Sequence, residues 1–102
     1  MTVMRGGIYQ HANFGRHFLV VSTAALNTNG AAIVVEVDNQ VPDGVRGMFV
    51  VRLGADDPIP GAVALCWRLN WLAAERLGDH QGDVDDTTME AVEMAVRSAM
   101  DL

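Results

Sequence analysis

The sequence has no lysine, and its seven basic side chains are all arginine. Planar guanidinium forks suit phosphate recognition, although a GC-rich coding sequence gives the same bias. There is a single cysteine, Cys66. It excludes an internal disulfide, and no Cys/His cluster has the spacing of a zinc site. No apolar run approaches the roughly 18–20 residues that span a bilayer, so no membrane association is expected. The opening "MTVMRGGIYQ" lacks the apolar stretch of a secretory signal, which leaves a bacterial-type cytoplasm as the default compartment. Internal repeats and low-complexity segments are also absent. What remains is 102 residues, half of them apolar and 20% charged. That composition suits one folded domain, residues 1–102, with one core.

The net charge of −6 argues at first against a nucleic-acid partner, but the charge is unevenly spread. Residues 1–53 carry four arginines against three carboxylates, together with His11 and His17. Residues 54–102 carry three arginines against ten carboxylates. A neutral-to-basic face can therefore coexist with an acidic remainder.

Short apolar runs separated by turn residues dominate the chain. "RGGIYQHA", "HFLVVS", "AAIVVEVD", "MFVVRL" and "AVALCWRLN" read as strands. "HFLVVS" is apolar on both faces, as in a central strand. In "AAIVVEVD", Ile33, Val35 and Val37 take one face; Ala32, Val34, Glu36 and Asp38 take the other, which turns polar toward its end. In the fifth run Val63, Leu65, Trp67 and Leu69 form a bulky face, and Ala62, Ala64, Cys66 and Arg68 a slim one. Trp67, Trp71 and Cys66 read as packing residues. "TAALNTNG" suggests one helical turn, and "WLAAERLGDHQGDV" an irregular passage with a further strand. "DDTTMEAVEMAVRSAMDL" is the clearest helix: Asp85 or Asp86 can cap it, and Met89, Val92, Val96 and Ala99 form a stripe with Ala95 alongside. Strands followed by a helix predict a mainly β protein, a small barrel or curled sheet carrying one packed C-terminal helix.

Arg16 heads the second apolar run, "GRHFLVVS". It is a solvent charge, half of an ion pair, or a catalytic group. If the second and third strands pair antiparallel with Ser22 opposite Ala32, the same register sets Arg16 opposite Asp38. Directly opposed side chains have Cβ atoms about 4.5–5.5 Å apart. The pair is then either a cross-strand ion pair or part of a phosphate site. Cleaving RNA internally needs a base for the 2′-hydroxyl, an acid for the leaving oxygen and positive charge on the phosphorane. Arg16 can supply the charge, and Asp38 or a histidine the base. His11 and His17 flank Arg16 and titrate near neutrality; otherwise they are exposed histidines of a loop and a strand end.

The ordered set "RGGIY", "GRHFLVVS", "AIVVEVD", "GAVALCWRLNWL…ERLG" and "TMEAVEMAVRSAMDL" resembles the MazF/PemK family, toxins of bacterial toxin–antitoxin pairs, over nearly the whole chain. The resemblance implies a small SH3-like β-barrel with a C-terminal α-helix, of the MazF/CcdB type, usually as a homodimer. It implies an endoribonuclease that needs no metal or other cofactor and cuts single-stranded RNA at short sequences. It also implies a cognate antitoxin whose peptide segment blocks the RNA groove. The family's key arginine falls on Arg16.

Several positions depart from the family pattern. Its catalytic threonine falls on Asp38, and a hydroxyl can donate to a phosphate oxygen where an ionised carboxylate only accepts. The aspartate of the opening motif is Gly7, the proline after the arginine is His17, and the acidic-Gln pair of the fifth strand is Trp67-Arg68. Arg68 is a candidate RNA contact beside His11 and His17. Trp67 can stack a base if it is exposed. Two classes of function follow: an endoribonuclease toxin, with Arg16 and Asp38 as its catalytic pair, or a non-catalytic toxin or interaction protein on the same fold, binding a protein target such as DNA gyrase.

Overall fold

Eight elements organise the structure, a computed structural model that describes residues 2–102. They are β1 (Gly7–His11), β2 (His17–Val20), α1 (Ala24–Asn27), β3 (Ala31–Asp38), β4 (Val50–Arg52), β5 (Val63–Ala73), β6 (Leu77–Asp83) and α2 (Asp86–Ala99). The six strands form one antiparallel sheet in the order β4-β5-β3-β2-β1-β6. No helix among the described residues is long and apolar enough to cross a membrane.

β3 lies inside the sheet, between β2 and β5, and its run of β-branched residues is buried on both faces. Val35 and Val37 enter one cluster with Ile8, Leu19, Ala64, Cys66, Met89 and Val92. Ala32 and Val34 enter the other, with Tyr9, Phe18, Val20 and Leu77. α2 covers the first face. Asp85 caps it, its Oδ1 accepting from the Thr88 N–H at 2.8 Å. Met89 and Val92 of the expected stripe are buried, and Ala95 and Val96 pack beside them.

β2 and β3 pair His17 with Val37, Phe18 with Glu36, Leu19 with Val35 and Val20 with Val34. This is the register in which Ser22 faces Ala32. Their connection is fixed by two buried side chains. The Ser22 hydroxyl donates to Asn27 Oδ1 at 2.5 Å and accepts from the Ile33 N–H at 3.0 Å. Gly30, with φ +83°, then turns the chain back into β3, a conformation that costs a residue with a Cβ.

Of the barrel and curled sheet expected, the structure shows the curled sheet, with β4 and β6 as its edges. Leu53, just past β4, and Val84, just past β6, meet in the same core cluster, so the sheet curls around α2 without closing. β4 is too short to complete a barrel, because Met48 and Phe49 of "MFVVRL" lie in a 3-10 turn, Gly44–Phe49. A Cβ at Gly47 would lie 2.5 Å from the Pro42 carbonyl oxygen, so this tight turn depends on glycine. Finally, the alternation expected for the fifth strand fails at a bulge. Val35 pairs with Leu69 and Val37 with Ala64, so two steps on β3 span five on β5. Beyond the bulge Leu69 and Trp71 are 36% and 62% exposed, and Trp71 is not a packing residue.

Candidate active site

The β1–β2 hairpin delivers Arg16. Its carbonyl accepts from the His11 N–H at 2.8 Å, closing the turn just before β2. The side chain leaves the sheet and is 62% exposed. Its ionic partner is Glu36, not Asp38: Arg16 Nε lies 3.9 Å from Glu36 Oε1. The same carboxylate receives Arg68, whose Nη1 is 3.5 Å from Glu36 Oε2. Arg16 comes from the turn that leads into β2 and Arg68 from the β5 bulge, on either side of β3. Bulges re-aim side chains in this way next to functional sites.

Asp38 ends β3 as an exposed carboxylate whose Oδ1 accepts from the Asn39 N–H at 2.6 Å. Although the register sets it opposite Arg16, its side chain turns back onto its own loop, as aspartates at strand ends do. Arg16, Asp38 and His17 nevertheless line one cleft of about 160 Å³, with Gly15, Glu36, Val37, Asn39 and Ile59. The arrangement offers donors for phosphate oxygens from two arginines, a carboxylate that accepts protons and an imidazole that exchanges them.

His11 is not among the residues lining that cleft, and it is not an exposed loop histidine. It is only 9% exposed. Its Nδ1 accepts from the Asn13 N–H at 3.1 Å, and its ring centroid lies 4.9 Å from Phe14 and 6.1 Å from Phe18. With Nδ1 accepting, the neutral ring carries its proton on Nε2. His11 holds the hairpin turn that presents Arg16. Trp67 is half-buried, with the Arg46 guanidinium 5.1 Å from its ring centroid. That cation–π contact occupies a face that a base would need. Cys66 is sealed in the core, where burial pushes its thiol up to about 12; it is not a nucleophile at neutral pH.

Sequence reasoning missed three residues around the cleft. Glu36 was read only as the polar turn of β3. The signal for it is diagonal: at two residues' offset across a strand pair, long side chains still reach each other. Ile59 lines the cleft at φ +53°, rare for a β-branched residue, and such strain costs on the order of 1–3 kcal/mol. It sits between Pro58 and Pro60 and packs against the core. Asp57, 4% exposed, anchors the same loop to α2. Its Oδ2 accepts from the Gly54 N–H at 2.7 Å and the Thr88 hydroxyl at 2.6 Å, and its Oδ1 from the Asp85 N–H at 2.9 Å. Burial by itself pushes this carboxyl up, but the three hydrogen bonds together hold it below the ordinary carboxylate value.

Known structures share this architecture throughout. A mycobacterial endoribonuclease superposes with a TM-score of 0.87 at 24% identity, over 100% of this chain and 94% of its own. A mycobacterial endoribonuclease solved with its cognate antitoxin gives 0.84 at 25% identity, over 99% and 95%. A MazE–MazF complex from Deinococcus radiodurans gives 0.84 at 22%, over 100% and 99%. No curated protein matches the sequence. The family model described as PemK-like, MazF-like toxin of type II toxin–antitoxin system matches residues 7–100, and the chain belongs to that family.

Proposed function

We propose that the protein is the toxin of a toxin–antitoxin pair and acts as a sequence-selective endoribonuclease on single-stranded RNA without a metal cofactor. Membership of the toxin family and the likeness to solved endoribonucleases support this reading. The observation that carries it is the cleft in which Arg16, His17, Glu36 and Asp38 converge, with Arg68 joined to Glu36 by an ion pair. A cognate antitoxin, as in the mycobacterial and Deinococcus radiodurans complexes, is the proposed regulator.

In the proposed reaction Arg16 binds the non-bridging oxygens of the scissile phosphate. Asp38 takes the proton of the neighbouring 2′-hydroxyl as its oxygen attacks phosphorus. The bond from phosphorus to the 5′-oxygen breaks, and that oxygen takes a proton from His17. The products are a 2′,3′-cyclic phosphate and a 5′-hydroxyl. Charge accumulates on the equatorial oxygens, where a fixed guanidinium stabilises it most. Asp38 performs as an acceptor what the family's threonine cannot, and gives up what a hydroxyl donates.

The test is cleavage of a varied single-stranded RNA pool by antitoxin-free protein in EDTA. Arg16→Ala should lower kcat about 10²–10³-fold, as for other deleted oxyanion partners. Asp38→Asn should lower it about 10²–10⁴-fold. An Asp38→Thr variant faster than wild type would show Asp38 to be only a counter-charge. A pool left intact by the wild type refutes the activity. One observation favours the second reading: Glu36 and Asp38 cancel the charge of the two arginines, as in a site with no anion to bind. Toxicity that survives Arg16→Ala, together with tight binding to DNA gyrase, would establish it.

A further inference from the structure

We propose that Glu36 is a positioning residue that sets Arg16 and Arg68 as the two prongs of one phosphate clamp; this rests on the endoribonuclease reading. The case begins with where the carboxylate lies. Its side chain is 16% exposed, on the strand face that carries Ala32 and Val34, both fully buried, and directly across from Phe18, 6% exposed. A charge on such a face is costly unless it is paired, and the two guanidinium groups are its ionic partners. The carboxylate therefore stays in place while the arginines, on longer and more exposed arms, take their positions from it.

Topology supports the same role. Arg16 immediately precedes β2 and Arg68 lies in β5, and these two strands never touch, since β3 lies between them. A residue on β3 is what can reach both. Glu36 pairs with Phe18 on the β2 side and faces the bulge on the β5 side. In an unbroken β5 ladder the outward turn that brings Arg68 to Glu36 would be missing, so the bulge and the carboxylate act together.

The distances leave the clamp usable. At 3.9 and 3.5 Å the ion pairs are loose, and the side chains of Arg16 and Arg68 are 62% and 54% exposed. Each guanidinium has five N–H donors, most of them free for phosphate oxygens while the pair to Glu36 persists. The carboxylate also weakens the attraction of the arginines for a resting, singly charged phosphodiester. Its charge opposes the phosphorane as well, so what favours the transition state is placement: two guanidinium groups held where the charge develops.

The experiment measures two quantities side by side. Anisotropy of a labelled 2′-O-methyl oligonucleotide, which cannot be cut, reports ground-state binding against salt. Cleavage of the matching RNA reports kcat. Glu36→Gln should bind roughly three- to tenfold tighter, with a log–log salt slope deeper by about 0.7, while kcat falls at least roughly tenfold. Glu36→Asp, which keeps the charge, should recover part of kcat. A structural residue would move both quantities the same way or neither, and either result overturns the proposal. If Glu36→Gln does not fold, Arg68→Gln supplies the same test: weaker binding and a shallower slope support the clamp, and unchanged binding overturns it. If the wild type cuts nothing, the endoribonuclease reading fails. The anisotropy arm then still decides whether Glu36 governs an anion site.

Discussion

Replacing Asp57 by asparagine should cost this domain about 3 kcal/mol. The carboxylate is buried and accepts three hydrogen bonds, two at Oδ2 and one at Oδ1. Asparagine offers one acceptor oxygen. Its best placement keeps that oxygen toward Gly54 and Thr88 and turns the amide NH2 onto the Asp85 N–H. One charge-assisted bond, worth about 1.5–3 kcal/mol, is lost, and a buried donor is left facing a donor, at about 1–3 kcal/mol. The two surviving bonds weaken to neutral strength, and a negative charge leaves the N-terminus of α2, a further 0.3–1 kcal/mol or so. Relaxation of the loop offsets part of this, which gives about 3 kcal/mol. For a domain of about 100 residues each kcal/mol shifts Tm by roughly 4–8 °C, so the melting temperature should fall by roughly 12–24 °C. The pH dependence provides a second check. The folded carboxyl lies below its ordinary value of 3.8, so its stabilisation is complete above the unfolded pKa and is lost as pH falls through the folded one. Wild type should lose this increment below about pH 4, and Asp57→Asn should not. Calorimetric melts of both proteins from pH 7 to pH 2 measure both effects. A Tm within about 3 °C of wild type at pH 7, with parallel acid profiles, would refute the argument.

The lone thiol and the quaternary state give two further tests. Cys66, pushed up to about 12 by burial, should resist a maleimide at pH 8 in the native protein and react fully in guanidinium chloride; rapid native labelling would show that the β5 core opens. The homodimer expected from the family should scatter light at twice the chain mass of 11.0 kDa. Val45 and Met48, 70% and 75% exposed on the 3-10 turn, offer apolar surface for such a contact; if the dimer uses it, Met48→Glu should shift the protein toward monomer. A wild type that is monomeric at all concentrations would reject the dimer.

What the sequence made legible, and what it hid, divides along one physical line. Signals that repeat within an element survived folding. The period of two in "AAIVVEVD" and the helical stripe from Met89 to Val96 report which faces are buried, and burial is what they were selected to achieve. The β2–β3 register matches the one obtained by setting Ser22 opposite Ala32, but alternation alone does not fix it, because both strands are apolar on both faces. Hidden features depend on where an element departs from its own period. The β5 bulge is the plainest case: three additional residues between Ala64 and Leu69 turn Arg68 and Trp71 outward, and nothing in "AVALCWRLNW" marks where they insert. The site inherits that uncertainty. Arg16 was readable because it breaks an apolar run at its head, and Asp38 because it ends one. Glu36 was not, because it differs from Asp38 only in lying two residues deeper, where its neighbour on β5 is the bulge. That depth changes its chemistry. An exposed carboxylate at the end of a strand can turn onto its own backbone, as Asp38 does. A carboxylate held against Phe18 has to find cations, and in doing so fixes where they stand. Asp38 therefore cannot be judged alone, because Arg16 is paired with a different acid, Glu36.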